Sequence, residues 1–145
     1  MADVVLEDDG MCFGCGKKNS IGLKMEFDHP EQGVLLSTVR FEKHHQGYKD
    51  IVHGGIVGLA LDEVMVNLLL REKIPAVSAE LNVRLKKPTK VGQRVRLKAH
   101  IDRDTPRAVY TSAVATDGES GEILAAATAT CLRIKNHNIP GLGKS

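Results

Sequence analysis

The sequence predicts an α+β domain in which one long apolar helix is wrapped by a curved, mostly antiparallel sheet of six strands. Three observations lead there. Only one segment, Gly54–Glu72, joins 11 Ile, Val, Leu, Met or Ala residues without a Pro, the length and content of a buried helix. Around it lie short runs with the period of two of a half-buried strand. The runs are separated by brief Gly-, Pro- and Asp-bearing turns, with no internal repeat and no linker. A helix apolar on nearly every side must be covered, and the curved sheet is the only layer available to cover it.

In chain order, Leu23, Met25 and Phe27 alternate with Lys24, Glu26 and Asp28, and His29–Gly33 reads as a turn into a second strand, Val34–Phe41. The stretch His44–His53 before the helix is polar and glycine-bearing, and His44 and His45 read as lying in a solvated loop. After Pro75, Ala79, Leu81, Val83 and Leu85 alternate with Glu80, Asn82, Arg84 and Lys86, and Pro88–Gly92 closes that strand. Val95, Leu97, Ala99 and Ile101 then alternate with charged residues. Ala108–Thr116 follows the turn at Asp104-Thr105-Pro106, and Asp117–Gly121 makes the next turn. Ile123–Ile134 is rich in alanine, yet Thr128, Thr130 and the tight turn before it favour a buried strand. The expected order is two strands, the helix, then four strands in a meander. Residues 1–20 form an N-terminal segment, 21–135 a single domain and 136–145 a flexible tail.

Composition narrows the function classes. With 145 residues, 42% hydrophobic and 26% charged, the chain can bury a real core. Its net charge of +2 is too small for a protein built on counterion release from nucleic acid, and no Trp, two Tyr and three Phe make no base-stacking platform. Asp62, Glu63 and Asn67 interrupt the apolar helix, so no membrane span is expected. Acidic residues near the start replace the basic patch of an export signal, and three cysteines suit a reducing compartment, so a cytoplasmic location is expected.

Within the helix, Glu63, Asn67 and Arg71 share one stripe at i, i+4 and i+8, which makes Glu63 part of a polar seam. Asp62 instead shares a face with Gly55, Gly58 and Leu59, where an isolated carboxylate is costly unless something binds it. It either caps a loop, pairs across a subunit contact, or acts on a ligand. His53-Gly54-Gly55 favours a ligand, because glycines at a helix start leave backbone N–H groups approachable, and those donors favour negative charge. Gly54 and Asp62 are about 12 Å apart along one helix, too far to reach one atom. Two antiparallel copies would bring one chain's Asp62 near the other's Gly54.

Cys12-Phe13-Gly14-Cys15-Gly16, Asn19–Leu23, Gln46-Gly47-Tyr48, Ile51–Gly55 followed by Leu61-Asp62-Glu63, and Leu81-Asn82 through Pro88 to Gly92 together resemble hotdog-fold acyl-CoA thioesterases, in particular the phenylacetyl-CoA thioesterase type. The resemblance implies a helix wrapped by a six-stranded antiparallel sheet, a homodimer, often a dimer of dimers, and hydrolysis of an acyl-CoA without cofactor or metal. It assigns Gly54 the backbone N–H that polarises the thioester carbonyl and Asp62 the carboxylate that attacks or activates water. Gln46 falls in the loop where relatives place an amide near the carbonyl or the water, and Ser78 where some carry a hydroxyl that helps hold water. His53 serves the turn before the helix more readily than it serves as a general base; Gly55 and Glu63 complete the candidate set.

Lys86, Lys87 and Lys90 cluster beside Pro88, with Arg84 on a neighbouring face; they either form a solvated surface or meet the phosphates of coenzyme A. Cys12 and Cys15 have C-x-x-C spacing, but no second ligand pair follows in the sequence, so no metal is expected there. Two other readings stand beside thioester hydrolysis: a dehydratase or hydratase of acyl thioesters on the same fold, and a non-catalytic acyl-CoA binding module in which Asp62 is interfacial.

Overall fold

Helix α1 spans Gly54–Arg71 in a computed structural model that describes residues 6–134; the expected tail Asn136–Ser145 lies outside the described residues. Val57, Ala60, Leu61, Val64, Met65, Leu68 and Leu69 are all buried, and each of these Val, Leu and Met side chains contributes roughly 1.5–3 kcal/mol of transfer free energy. The helix ends in a left-handed cap: Lys73 has φ +60°, its N–H donates to Leu70 O, and Ile74 N–H donates to Leu69 O. Those two bonds satisfy carbonyls that the last turn would otherwise leave open.

Six strands wrap this helix: β1 (Asp28–Glu31), β2 (Val34–Arg40), β3 (Ala76–Leu85), β4 (Arg94–Asp104), β5 (Ala108–Asp117) and β6 (Ile123–Arg133). Every pairing is antiparallel, and the order across the sheet is β1-β2-β4-β5-β6-β3. The expected α+β architecture is therefore present. The alanine-rich Ile123–Ile134 stretch is a strand, and it sits between β5 and β3 with Ala125, Ala127 and Ala129 buried.

Three expectations are corrected. The four later strands do not form one meander: β3 pairs with β6 at the sheet edge, and β4 lies beside β2. Alternation tells which face of a strand is apolar, whereas neighbours are chosen by the path of the connection. Here Lys86–Gln93 runs past the loop before α1, with Val52 N–H donating to Thr89 O at 2.8 Å and Gly92 N–H to Phe41 O at 2.9 Å. Second, Leu23–Phe27 is not a ladder strand; β1 occupies the expected turn, and the turn shrinks to Gln32-Gly33. Met25 is buried as the alternation requires, but Lys24 at φ +50° breaks the strand, and Leu23 and Met25 N–H donate to Phe13 O and Gly14 O instead. Third, His45 is not solvated. It closes a short 3-10 turn, is buried, holds Glu42 N–H on Nδ1 and Ile21 O on Nε2, and packs edge-on to Phe13 and Phe41.

Candidate active site

The first turn of α1 has four N–H groups without helical partners. His53 caps it. His53 Nδ1 accepts from Gly55 N–H at 3.0 Å, and His53 O accepts from Ile56 and Val57 N–H at 2.9 and 3.1 Å. Gly54 N–H alone in that turn has no hydrogen-bond partner among the described residues. The sequence reading treats both glycines as open donors; the structure commits Gly55 to the cap and leaves Gly54. Because Nδ1 is the acceptor, the capping tautomer of His53 carries its proton on Nε2.

Gly54 lies where two clefts meet. One, of about 650 Å³, is lined by Tyr48, Ile51, His53, Gly54, Val57, Leu85, Lys86 and Lys87, among others, and opens at the loop before the helix. The other, of about 520 Å³, runs along the helix between Gly54, Gly55, Gly58, Leu59 and Asp62 on one side and Leu81, Val83 and Leu85 of β3 on the other. Gly58 permits this closeness, since a Cβ there would come within 3.3 Å of Val83 Cγ2. A donor for negative charge and a carboxylate thus share one apolar groove.

Asp62 is half-buried, and its cost is met by Ser78, whose Oγ donates to Asp62 Oδ1 at 2.8 Å. A bulge places that hydroxyl. Ser78 pairs with Cys131 and Glu80 with Thr130, so Ala79 is the extra residue in β3. Asp62 Oδ2 has no hydrogen-bond donor among the described residues, so one carboxylate oxygen is held and the other is available. Cys131 lies beside this pair, fully buried, and burial pushes its thiol up.

The other candidates divide. Gln46 Oε1 accepts from Asp50 N–H at 3.0 Å and shapes the 46–52 loop, and Gln46 lines neither cleft. Lys86 and Lys87 line the larger cleft, with Lys87 Nζ on Glu122 Oε2 at 2.5 Å. Lys90 bridges to Ile51, and Arg84 faces a different, polar groove beside Lys98 and His100. Tyr48, 86% exposed in the polar loop at the mouth of the larger cleft, is a lining residue that the sequence reading names only within Gln46-Gly47-Tyr48 and gives no role. Its signal was a lone aromatic between glycine and lysine.

Glu63 points away from Asp62. Asn67 Nδ2 donates to Glu63 Oε1 at 3.0 Å, as the polar seam predicts, while Arg71 leaves the seam and lies over the Phe27 ring at 5.9 Å. Cys12 Sγ also donates to Glu63 Oε1, at 3.4 Å, and Cys15 lies beside both. Burial, with the adjoining Glu63 carboxylate, pushes the Cys15 thiol far above the ordinary thiol range. The sequence offered two ligand-type side chains here; the fold adds a third.

Comparison with known proteins bears on the fold and the family. The chain is 24% identical over 95 residues to human acyl-coenzyme A thioesterase 13, which covers 64% of this chain and 68% of that one. Its fold is similar to zebrafish thioesterase superfamily member 2 (TM-score 0.70, 18% identity, 76% of this chain and 81% of that one). It is equally similar to a hypothetical thioesterase from Streptococcus pneumoniae crystallised with coenzyme A (TM-score 0.71, 16% identity, 75% and 84%). Residues 49–124, just over half of the chain and spanning the cap, the helix, Ser78 and the lysine-bearing connection, match the family model of the thioesterase superfamily, and the chain belongs to that superfamily.

Proposed function

We propose that this protein hydrolyses an acyl-CoA thioester to a carboxylic acid and free coenzyme A, at a site shared between two antiparallel copies of α1. The observation that carries the reading is the unpartnered Gly54 N–H at one end of an apolar groove whose other end holds the Asp62–Ser78 pair. When water or a carboxylate oxygen adds to a thioester carbonyl, negative charge gathers on the carbonyl oxygen. A fixed N–H at a helix N-terminus stabilises it there without reorganisation. Asp62 supplies the other half, taking a proton from the attacking water or attacking itself, with Ser78 fixing its orientation. With water as the nucleophile, the C–S bond then breaks, the thiolate of coenzyme A leaves and takes up the proton that Asp62 removed, and the acid remains; with Asp62 as the nucleophile, C–S cleavage leaves an acyl–Asp62 anhydride, which water then hydrolyses to the acid.

Several features support the shared site. Gly54 and Asp62 lie two turns apart on one helix, about 12 Å, so one chain does not bring both to one carbonyl. The groove between them is flanked by β3, a ten-residue edge strand with Leu81 41% and Leu85 54% exposed. An open apolar edge of that length invites a second strand. Lys86 and Lys87 at the cleft mouth suit the phosphates of coenzyme A, the ligand held by the similar Streptococcus pneumoniae protein. No helix among the described residues is long and apolar enough to cross a membrane; a cytoplasmic location is the reading we adopt on the cysteine usage, which suits a reducing compartment.

Thiol release from a panel of acyl-CoAs tests the proposal directly. Release that depends on Asp62 is the expected result. Hydration or dehydration of the acyl chain without thiol release would instead make this a hydratase of the same fold. Tight binding of acyl-CoA with no turnover of any kind would make it a binding module.

A further inference from the structure

We infer that Cys12, Cys15 and Glu63 form a binding site for a thiophilic divalent cation, zinc by preference, that pins the N-terminal segment to α1. The Sγ atoms of both cysteines and a Glu63 carboxylate oxygen lie within 4.8 Å of one another. Cys12 Sγ and Glu63 Oε1 are 3.4 Å apart. With Zn–S of about 2.3 Å and Zn–O of about 2.0 Å, a tetrahedral centre needs S···O edges of about 3.5 Å and an S···S edge of about 3.8 Å. The first edge is already in place.

The surroundings are built for these three groups. Gly16 N–H donates to Cys12 O at 2.8 Å and closes the C-x-x-C turn, and a Cβ on Gly16 would fall 2.4–2.6 Å from the backbone of Cys12 and Gly10. A Cβ on Gly14 would fall 2.4 Å from Glu63 Cγ, so only glycine lets the turn press onto that side chain. Asn67 Nδ2 holds Glu63 Oε1, the kind of outer hydrogen bond that orients ligating carboxylates. Glu63 is half-buried and has no Lys, Arg or His partner among the described residues, a deficit of positive charge that a divalent cation supplies. Cys12 is exposed, which gives the ion a path in and leaves the fourth position to water. Two sulfurs select zinc over magnesium or calcium.

The consequence reaches the loop before the helix. Phe13, inside the C-x-x-C turn, packs on the His45 ring, and His45 O accepts His53 N–H at 2.9 Å. A cation here therefore steadies the residue that caps α1, which makes it a structural ion rather than a participant in hydrolysis.

The test uses the full chain, reduced and stripped of metal by a chelator, and titrated with cobalt(II) as a coloured stand-in for zinc. One cobalt per chain is expected, with thiolate-to-cobalt charge-transfer absorption that zinc abolishes by displacement. Zinc should also raise the thermal midpoint in a concentration-dependent way. Cys12→Ser with Cys15→Ser should lose both signals, Glu63→Gln should weaken cobalt binding at least 10-fold, and Asn67→Ala should weaken it by about 10–100-fold, with circular dichroism confirming that each variant folds. Absence of the charge-transfer band in the reduced wild type overturns the site. Undiminished cobalt affinity in folded Glu63→Gln overturns the three-ligand assignment.

Discussion

Asp62 and Glu63 are adjacent carboxylates with opposite neighbourhoods, and their neighbourhoods decide their roles. Asp62 faces the apolar groove with one oxygen held by Ser78 and one free, whereas Glu63 is tied to Asn67 and to the cysteine turn. Asp62→Asn should keep the fold and lower turnover by on the order of 10²–10⁴-fold, the usual contribution of a positioned acid or base. Glu63→Gln should lower it less, and steady-state thiol release with each pure variant reads the difference. An inactive Glu63→Gln beside a near-normal Asp62→Asn would reverse the assignment. His53 acts through geometry: its ring consumes the Gly55 N–H and so fixes which backbone donor stays open. His53→Ala should cost about 0.5–2 kcal/mol of stability, the range for losing a helix cap, measured as a shift in the urea midpoint.

At the scale of elements, the connection from β3 to β4 carries the lysines, and the structure separates them. Lys86 and Lys87 line the larger cleft, while Lys90 pairs with the loop and does not line it. If the cleft takes the nucleotide end of coenzyme A, Lys86→Ala with Lys87→Ala should raise KM for acyl-CoA with kcat nearly unchanged, because phosphates are bound alike in ground and transition states. Lys90→Ala and Arg84→Ala should do little. The defect should shrink with a pantetheine thioester; an equal defect there would return these lysines to the solvated face. The turn from β5 to β6 has its own pH signature. Gln93 Nε2 and the Ser120 N–H donate to Asp117 and hold its carboxyl well below the usual carboxylate range. A depressed folded value means stability that is present above the unfolded value, about 3.9, and is lost as pH falls below it. Asp117→Ala should therefore be less stable than wild type near neutrality, and the gap in urea midpoints should close as pH drops below about 4.

For the molecule as a whole, the proposed shared site would make assembly a condition of activity. A Gly54→Pro chain lacks the N–H, an Asp62→Asn chain lacks the carboxylate, and each homodimer should be inactive. Mixing the two folded proteins should restore part of the wild-type rate, because heterodimers carry one intact site. Subunit exchange shown by mass spectrometry with no recovered thiol release would refute the shared arrangement. Apolar β3 should lie in the contact, so Leu81→Glu should shift the sedimentation coefficient toward the monomer and abolish turnover together.

How much of this was legible from residues alone depends on range. The helix, four of the six strands near their true bounds and the alanine-rich strand follow from periodicity and turn residues, all set within a few residues of each other. Local signals fix them because burial period and backbone preference act locally. The place of β3 beside β6, the bulge that turns Ser78 onto Asp62, the meeting of Cys12 and Cys15 with Glu63, and the placing of Lys86 and Lys87, but not Lys90, on the larger cleft were decided only by the tertiary structure. Each joins groups distant in sequence, such as Cys12 and Glu63, 51 residues apart. Such contacts depend on how strands are ordered and where a connection crosses, and no local pattern of hydrophobicity encodes that order.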